Sequence, residues 1–166
     1  MADEQEQGQE NAPAAAPSAA LAVDARLALV CVDDPERQES MKATLAELGY
    51  TPEVPSSTDN ALDRMRKSAY EVVIVDELFD GATPLDNGVL KGLSTMAMSV
   101  RRYMFVALIG KSVPTLDNAT AFSRSVNAVF SYGDLDGLAP MLRRAIADND
   151  AFYRVFREVL HAAGKR

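Results

Sequence analysis

The sequence predicts an α/β fold in which a doubly wound sheet of five parallel strands carries helices on both faces. Two observations support this prediction. Short, continuous apolar runs, typical of strands that are buried on both faces, alternate with longer segments of helical periodicity. Such alternation favours parallel strands joined by helical crossovers. With 166 residues, 48% of them hydrophobic, the chain is long enough to bury one core.

Five short apolar or β-branched segments are the predicted strands. The second of them contains Pro52 and Pro55, and because proline has no N–H to donate, this strand is expected near an edge of the sheet. The predicted strands are Leu27–Val32, Thr51–Pro55, Val72–Val75, Tyr103–Ile109 and Ala128–Ser131.

Helices are predicted in the intervals between these strands. Pro35 begins the first helix, at a position where proline is tolerated, and Gly49 ends it. Thr58 or Asp59 is the expected N-cap of the second helix. The remaining helices are predicted at about residues 90–100, at residues 116–126, and from a cap at Asp134 to near the C-terminus, with a kink or a break at Pro140.

Charge is distributed unevenly along the chain. The formal net charge is −7, and residues 1–24 hold five carboxylates without any Lys or Arg. This segment is rich in Ala and Pro and has no periodic apolar face, so we expect a disordered acidic tail. The rest of the chain is nearly balanced in charge, which argues against a basic surface for nucleic acid.

The content of cysteine, histidine and apolar runs excludes several classes of protein. Cys31 is the single cysteine, so no disulfide can form within the chain, and a lone thiol in an apolar run fits a reducing compartment. One cysteine and one histidine, His161, are too few for a structural zinc site. No apolar stretch has membrane-spanning length and no signal pattern is present, so a cytoplasmic protein is expected.

Acidic residues follow two of the predicted strands at the point where each strand ends. Asp33 and Asp34 follow the first strand and Asp76 follows the third. In a doubly wound sheet these strands are neighbours, and ligands bind beyond their carboxyl ends. Three converging carboxylates would favour a hard divalent cation such as Mg²⁺. Alternatively, each aspartate is a separate turn former or helix cap, as Asp34 directly before Pro35 suggests.

At these residues the chain resembles the response-regulator receiver domain, which has a flavodoxin-like fold. The resemblance covers residues 27–147, and implies a receiver-like domain at residues 25–147 between the tail at 1–24 and a C-terminal helical extension at 148–166. The segments that carry it are Leu29–Asp34, Leu45–Gly49, Tyr70–Asp76 and Asn127–Leu138.

The resemblance implies that Asp33 and Asp34 bind Mg²⁺ and that Asp76 is the phosphoacceptor. Two positions depart from the family's pattern. Gly110 stands where the family has a Ser or Thr whose hydroxyl contacts the phosphoryl group, and Tyr132 stands where it has a Lys. A charge-assisted hydrogen bond contributes about 1.5–3 kcal/mol, so its loss leaves a phosphoryl group poorly compensated. These departures indicate a degenerate receiver.

Other polar residues near the predicted site are interpreted as ordinary loop residues. Glu77 and Asp80 follow the third strand and either add charge to the pocket or, as we expect, form turns. Lys111 and Ser112 follow the fourth strand; they could substitute for the residues lost at 110 and 132 if that loop is re-routed, but ordinary loop positions are favoured. Tyr132 is expected to pack its ring and to hold its hydroxyl at the surface.

The C-terminal extension carries an apolar stripe at helical spacing, which includes Phe152, Phe156 and Leu160. A stripe of this kind must be buried against something. It packs either on the domain's own core or against a partner, which could be a second copy of the chain.

The sequence supports three functions. The leading interpretation is a single-domain, degenerate receiver that is not an enzyme and that acts through protein–protein contacts, with or without bound Mg²⁺. The second is a response regulator that a histidine kinase phosphorylates at Asp76. The third, a small phosphoryl-transfer enzyme, lacks a Gly-rich phosphate loop.

Overall fold

The fold was described from a computed structural model, which covers residues 25–164. The predicted tail at 1–24 and the last two residues of the predicted extension lie outside the described residues. Five parallel strands form one sheet in the order β2-β1-β3-β4-β5. The doubly wound prediction is confirmed, including the edge position of the proline-containing strand. The strands are β1 (Leu27–Cys31), β2 (Thr51–Glu53), β3 (Tyr70–Asp76), β4 (Phe105–Gly110) and β5 (Ala128–Ser131).

The strands read as continuous apolar runs because both faces of the sheet are covered. Along β1, Ala28 and Val30 pack into the core on one face, while Leu29 and Cys31 pack into the core on the other. All four are fully buried. Burial raises the pKa of the Cys31 thiol, so this cysteine is a packing residue without thiolate character.

Within residues 25–164, six α-helices surround the sheet. The one predicted at 90–100 is two helices, since the hydroxyls of Ser94 and Thr95 bond back to the carbonyls of Lys91 and Gly92 and satisfy the last turn of the first. The helices are α1 (Pro35–Glu47), α2 (Thr58–Lys67), α3 (Gly88–Ser94), α4 (Met98–Arg101), α5 (Asn118–Ser123) and α6 (Leu138–Ala162).

Two predicted N-caps were wrong. The cap of α2 is Ser57, whose hydroxyl accepts a hydrogen bond from the Asn60 N–H at 3.2 Å. The cap of α6 is Gly137, because a 3₁₀ turn at Tyr132–Gly137 precedes the helix, and Asp134 instead accepts a hydrogen bond from the Thr115 hydroxyl.

The last helix is continuous across the predicted boundary at residues 147/148. Its 25 residues include Pro140, which neither kinks nor splits it. Pro140 lies in the first helical turn, where a proline removes no intrahelical hydrogen bond. No helix among residues 25–164 is both long and apolar enough to cross a membrane.

Candidate functional site

The site lies at the carboxyl edge of the sheet, centred on Asp76. This residue ends β3, between β1 and β4, and is only 2% exposed. One carboxylate oxygen accepts hydrogen bonds from the Leu78 N–H at 2.9 Å and from the Tyr132 hydroxyl at 2.6 Å. The other accepts from Nε of Arg37 at 3.3 Å. Both oxygens of the buried carboxylate are therefore held by other groups of the chain.

Arg37 supplies the positive charge of the site. Its guanidinium carbon lies 4.3 Å from the centre of the Tyr132 ring, so the cation is stacked on an aromatic face as well as paired with Asp76. The first turn of α1 fixes its position, because Asp34 caps this helix by accepting a hydrogen bond from the Arg37 N–H at 2.9 Å. The sequence interpretation did not identify Arg37.

Tyr132 closes the site from the loop after β5. The expectation that its hydroxyl would lie at the surface was wrong, since the hydroxyl donates to Asp76. Burial, and then this hydrogen bond to a carboxylate, raises the pKa of Tyr132, so the tyrosine stays a protonated donor into the alkaline range.

Asp33 and Asp34 bind backbone groups. Asp34 is a helix cap, and Asp33 accepts a hydrogen bond from the Asp80 N–H at 2.7 Å. Asp80 has a left-handed backbone, with φ of 57°, and its own carboxylate accepts from the Thr58 N–H at 2.7 Å. That hydrogen bond lowers the pKa of Asp80. The acidic residues thus connect the loop after β3 to the end of β1 and to the start of α2.

This arrangement does not fit Mg²⁺. Among residues 25–164 no group of three or more His, Cys, Asp or Glu side chains is placed to hold a metal ion. Asp76 already accepts three hydrogen bonds, and the cation beside it is Arg37. A divalent ion would have to displace Arg37 and Tyr132 before it could bind Asp76.

Glu77 is the second buried carboxylate at this edge, and it was wrongly interpreted as a turn residue. It is 4% exposed. One oxygen accepts hydrogen bonds from the backbone N–H groups of Lys111 at 2.6 Å and Ser112 at 3.1 Å. The other accepts from the Ser112 hydroxyl. The loop after β4 therefore wraps around a carboxylate from the end of β3.

The glycine that ends β4 makes room for that carboxylate. A Cβ atom at Gly110 would lie 2.4 Å from Cδ of Glu77 and 2.5 Å from its Oε2, closer than non-bonded atoms approach. The departure at Gly110 is thus coupled to Glu77, because any larger residue at 110 would force the Glu77 side chain or the end of β4 to move. No sequence signal points to this pairing, since the two residues are 33 positions apart.

Asn87 holds the chain where it turns away from β3. It is buried, and its side-chain amide donates to the carbonyls of Asp76 at 3.1 Å and Glu77 at 3.4 Å. Its oxygen caps α3 by accepting from the Leu90 N–H. Sequence analysis did not identify Asn87, although an asparagine directly before a helical segment is a typical N-cap and could have indicated it.

The apolar stripe of the C-terminal extension does not pack on the domain's own core. Phe152 is 78% exposed, Phe156 is 45% exposed and Leu160 is half-buried. Phe156 is partly covered by Arg102, whose guanidinium carbon lies 4.6 Å from the ring centre. The extension therefore presents aromatic side chains to solvent.

Comparisons with known proteins find likeness in structure alone. No family model and no curated protein matches the sequence. NtrX from Brucella abortus, in complex with ADP, is 18% identical with a TM-score of 0.61, over 86% of this chain and 31% of that one. A CheY-like receiver domain protein from Methanospirillum hungatei is 14% identical with a TM-score of 0.59, over 77% of this chain and 98% of that one.

A third similar structure is the receiver domain of a sensor histidine kinase from Pseudomonas aeruginosa, with a magnesium ion coordinated in its active site cleft. It is 15% identical with a TM-score of 0.58, over 75% of this chain and 99% of that one. This chain spans about a third of NtrX and nearly all of the two receiver domains. The chain therefore has the fold of response-regulator receiver domains.

Proposed function

We propose that this chain is a degenerate receiver: a signalling module that works through protein–protein contacts in the cytoplasm, without catalysis and without a phosphoryl switch at Asp76. The proposal rests on one observation: both carboxylate oxygens of Asp76 already accept hydrogen bonds from other groups of the chain. A phosphoacceptor needs a free carboxylate oxygen as nucleophile. Here one oxygen accepts from Tyr132 and Leu78, and the other is paired with Arg37.

Glu77 adds independent support. The loop after β4 offers two backbone N–H groups and a hydroxyl, which together make an anion-binding site. Glu77 fills that site with a carboxylate of the chain itself. An incoming phosphoryl group would meet a second buried negative charge and would find these donors already engaged. The loop is thus held in one state irrespective of any phosphoryl donor.

A second candidate function, phosphorylation of Asp76 by a histidine kinase, is favoured by one observation. Asp76 ends the central strand of the receiver fold, where the resemblance locates the phosphoacceptor. This function requires that Arg37 and Tyr132 move away and that Mg²⁺ enter in their place. A magnesium ion occupies the cleft of the similar Pseudomonas domain.

Thermal unfolding with Mg²⁺ and beryllofluoride, which mimics an aspartyl-phosphate, separates the two functions. A ligand at about 100 times its dissociation constant stabilises the native state by about 2.7 kcal/mol, a clear rise in Tm. We expect no rise for the wild type. A rise that Asp76→Asn abolishes would overturn the degenerate-receiver proposal. Each variant is compared with itself without ligand, because Asp76→Asn also alters the contacts to Arg37 and Tyr132.

A further inference from the structure

Two adjoining grooves lie on either side of α4, at the amino edge of the sheet. The first, of about 460 Å³, lies between α4 and α5, and the second, of about 370 Å³, lies between α4 and α2; Met96 lines both. The helix between them contributes no buried residue. Met98, Val100 and Phe122, which line the grooves, are 58%, 44% and 87% exposed. The residues that line the two grooves thus form one apolar surface, which we call the amino-edge surface.

The amino-edge surface is also positively charged. Arg101 and Arg102 line the first groove, Arg66 and Lys67 line the second, and no Asp or Glu of the described chain lines either one. Among these four cations, only Lys67 pairs with a described carboxylate. Arg101 and Arg102 donate to backbone carbonyls, which leave their charge uncompensated. An anionic chain that carries some apolar side chains would complement this surface.

The segment 1–24 joins the described chain beside this surface. β1 starts at Leu27, which pairs with Tyr70, and the two residues directly before Tyr70 line the second groove. Leu27 also packs in the same core cluster as Met65, on the face of the sheet that carries both grooves. Neighbouring strands are about 4.8 Å apart, so the first groove, at the start of β4, lies about 10 Å from β1. Because 24 residues span up to about 80 Å when extended, the segment is long enough to cross the whole surface.

We infer that residues 1–24 bind the amino-edge surface of their own chain. This segment lies outside the described residues, and its sequence complements the surface. It has five carboxylates and no Lys or Arg, and Leu21 and Val23, close to the point of attachment, supply apolar side chains for the grooves. A segment too polar to fold by itself can still become ordered against a surface. The inference goes beyond the proposed function and does not depend on Asp76, which lies at the opposite edge of the sheet.

Tethering favours this occupant over a separate molecule. An acidic segment of another protein loses translational freedom when it binds, whereas residues 1–24 are already attached beside the grooves, at an effective concentration of millimolar order. The bound segment shields Met98 and Phe122 from solvent and must leave before another acidic protein can bind there. The chain therefore covers this surface itself, and salt or a competing acidic ligand uncovers it.

A spin label, read through the broadening of backbone amide signals of the full chain, locates the segment. The label attaches to Gly8→Cys, because the native Cys31 is fully buried. The wild type treated with the same reagent controls for this selectivity. Because β1 starts between Thr51 of β2 and Tyr70 of β3, an unbound segment broadens signals on both sides of β1 alike.

Binding to the amino-edge surface predicts stronger broadening on one side. The effect at residues 66–69 and 96–102 should exceed that at residues 48–51 at least about twofold, and should fall at about 1 M NaCl, where the Debye length is about 3 Å. Equal broadening on both sides, or broadening that salt does not change, would overturn the inference. Broadening of an isotope-labelled chain by a separate spin-labelled chain would also overturn it, because the contact would then lie between two copies.

Charge variants test whether this surface holds the segment. Arg66→Glu with Lys67→Glu reverses both cations of the second groove and should lower the broadening at residues 96–102 at least about twofold. The matched control, Lys42→Glu with Arg143→Glu, changes the net charge equally on helices that pack on the opposite face of the sheet, and should leave the broadening unchanged. An equal loss in both variants would mean that net charge alone acts, and would refute the inference. Neither result bears on the beryllofluoride measurement, so the two proposals fail separately.

Discussion

The carboxyl edge of the sheet and the C-terminal half of α6 differ in how far their side chains are buried and paired within the chain. At the edge, two buried carboxylates, Asp76 and Glu77, have all their oxygens bonded within the chain. On α6, the large apolar residues Phe152, Val155 and Val159 are mostly exposed. The edge is where a receiver fold usually changes state, yet here it is closed, while the helix presents surface that no other part of residues 25–164 covers.

This contrast predicts that changes at the edge affect stability and that changes on the helix affect binding. Buried polar groups that are fully paired rigidify a structure, and losing one partner leaves a desolvated group behind. Exposed apolar groups contribute little to the fold of one chain but gain when another surface covers them. Changes at the edge should therefore lower stability, and changes on α6 should alter association.

The largest expected effect is that of Gly110→Ala. The new Cβ would lie 2.4 Å from Cδ of Glu77, and β4 is buried at this point, so the carboxylate must leave its hydrogen bonds or the strand must move. We expect a loss of about 2–4 kcal/mol in the free energy of unfolding, measured by urea denaturation.

Two further variants isolate the cause. Gly133→Ala is the matched control, because a Cβ there meets nothing within 4 Å, and it should change stability by less than about 0.5 kcal/mol. Adding Glu77→Ala to Gly110→Ala should recover at least about 1 kcal/mol relative to the sum of the single changes, since the clash is gone. Strict additivity would contradict the pairing of Gly110 with Glu77.

The closed edge also shows where sequence-based prediction succeeds and where it stops. The apolar run before Asp76 predicted a buried strand with that carboxylate at its end, because continuous apolar runs follow from burial on both faces. The positions of Gly110 and Tyr132 were predicted too, since Gly110 ends β4 and Tyr132 directly follows β5. The contacts that these two residues make were not predicted, because the direction of a side chain beyond the end of a strand depends on the loop conformation. Arg37 was missed for this reason, and Glu77 was taken for a turn residue.

A smaller loss is expected for Tyr132→Phe, which removes one hydroxyl. Asp76 would lose the 2.6 Å hydrogen bond and keep those from Leu78 and Arg37. A hydrogen bond to a charged group contributes about 1.5–3 kcal/mol when buried, and Tyr132 is only half-buried, so we expect a loss of about 1–2 kcal/mol in urea denaturation at pH 7. An unchanged stability would mean that this hydroxyl does not hold Asp76 in place.

The same variant gives a prediction about alkaline pH. The pKa of Tyr132 is raised in the folded state by burial and by the Asp76 carboxylate, while an unfolded tyrosine titrates near about 10. The folded state therefore keeps its proton where the unfolded state loses it, so the stabilisation is fully present below about pH 10 and is lost as pH rises through the folded pKa. The stability difference between the wild type and Tyr132→Phe should narrow between about pH 10 and 11.5. A constant difference would contradict this assignment. Tyr50 and Tyr70, whose pKa values are also raised, are common to both proteins and cancel.

The smallest effect on the fold is expected from Phe152→Ala. Because 78% of this side chain is exposed and its ring contact is an edge-to-face approach to Tyr153 at 5.0 Å, the free energy of unfolding of the single chain should change by less than about 0.5 kcal/mol. Urea denaturation at low protein concentration measures this. A loss of more than about 1 kcal/mol in the free energy of unfolding at low concentration would show that Phe152 packs within its own chain. It would contradict the contrast between a buried, fully paired edge and an exposed helix face.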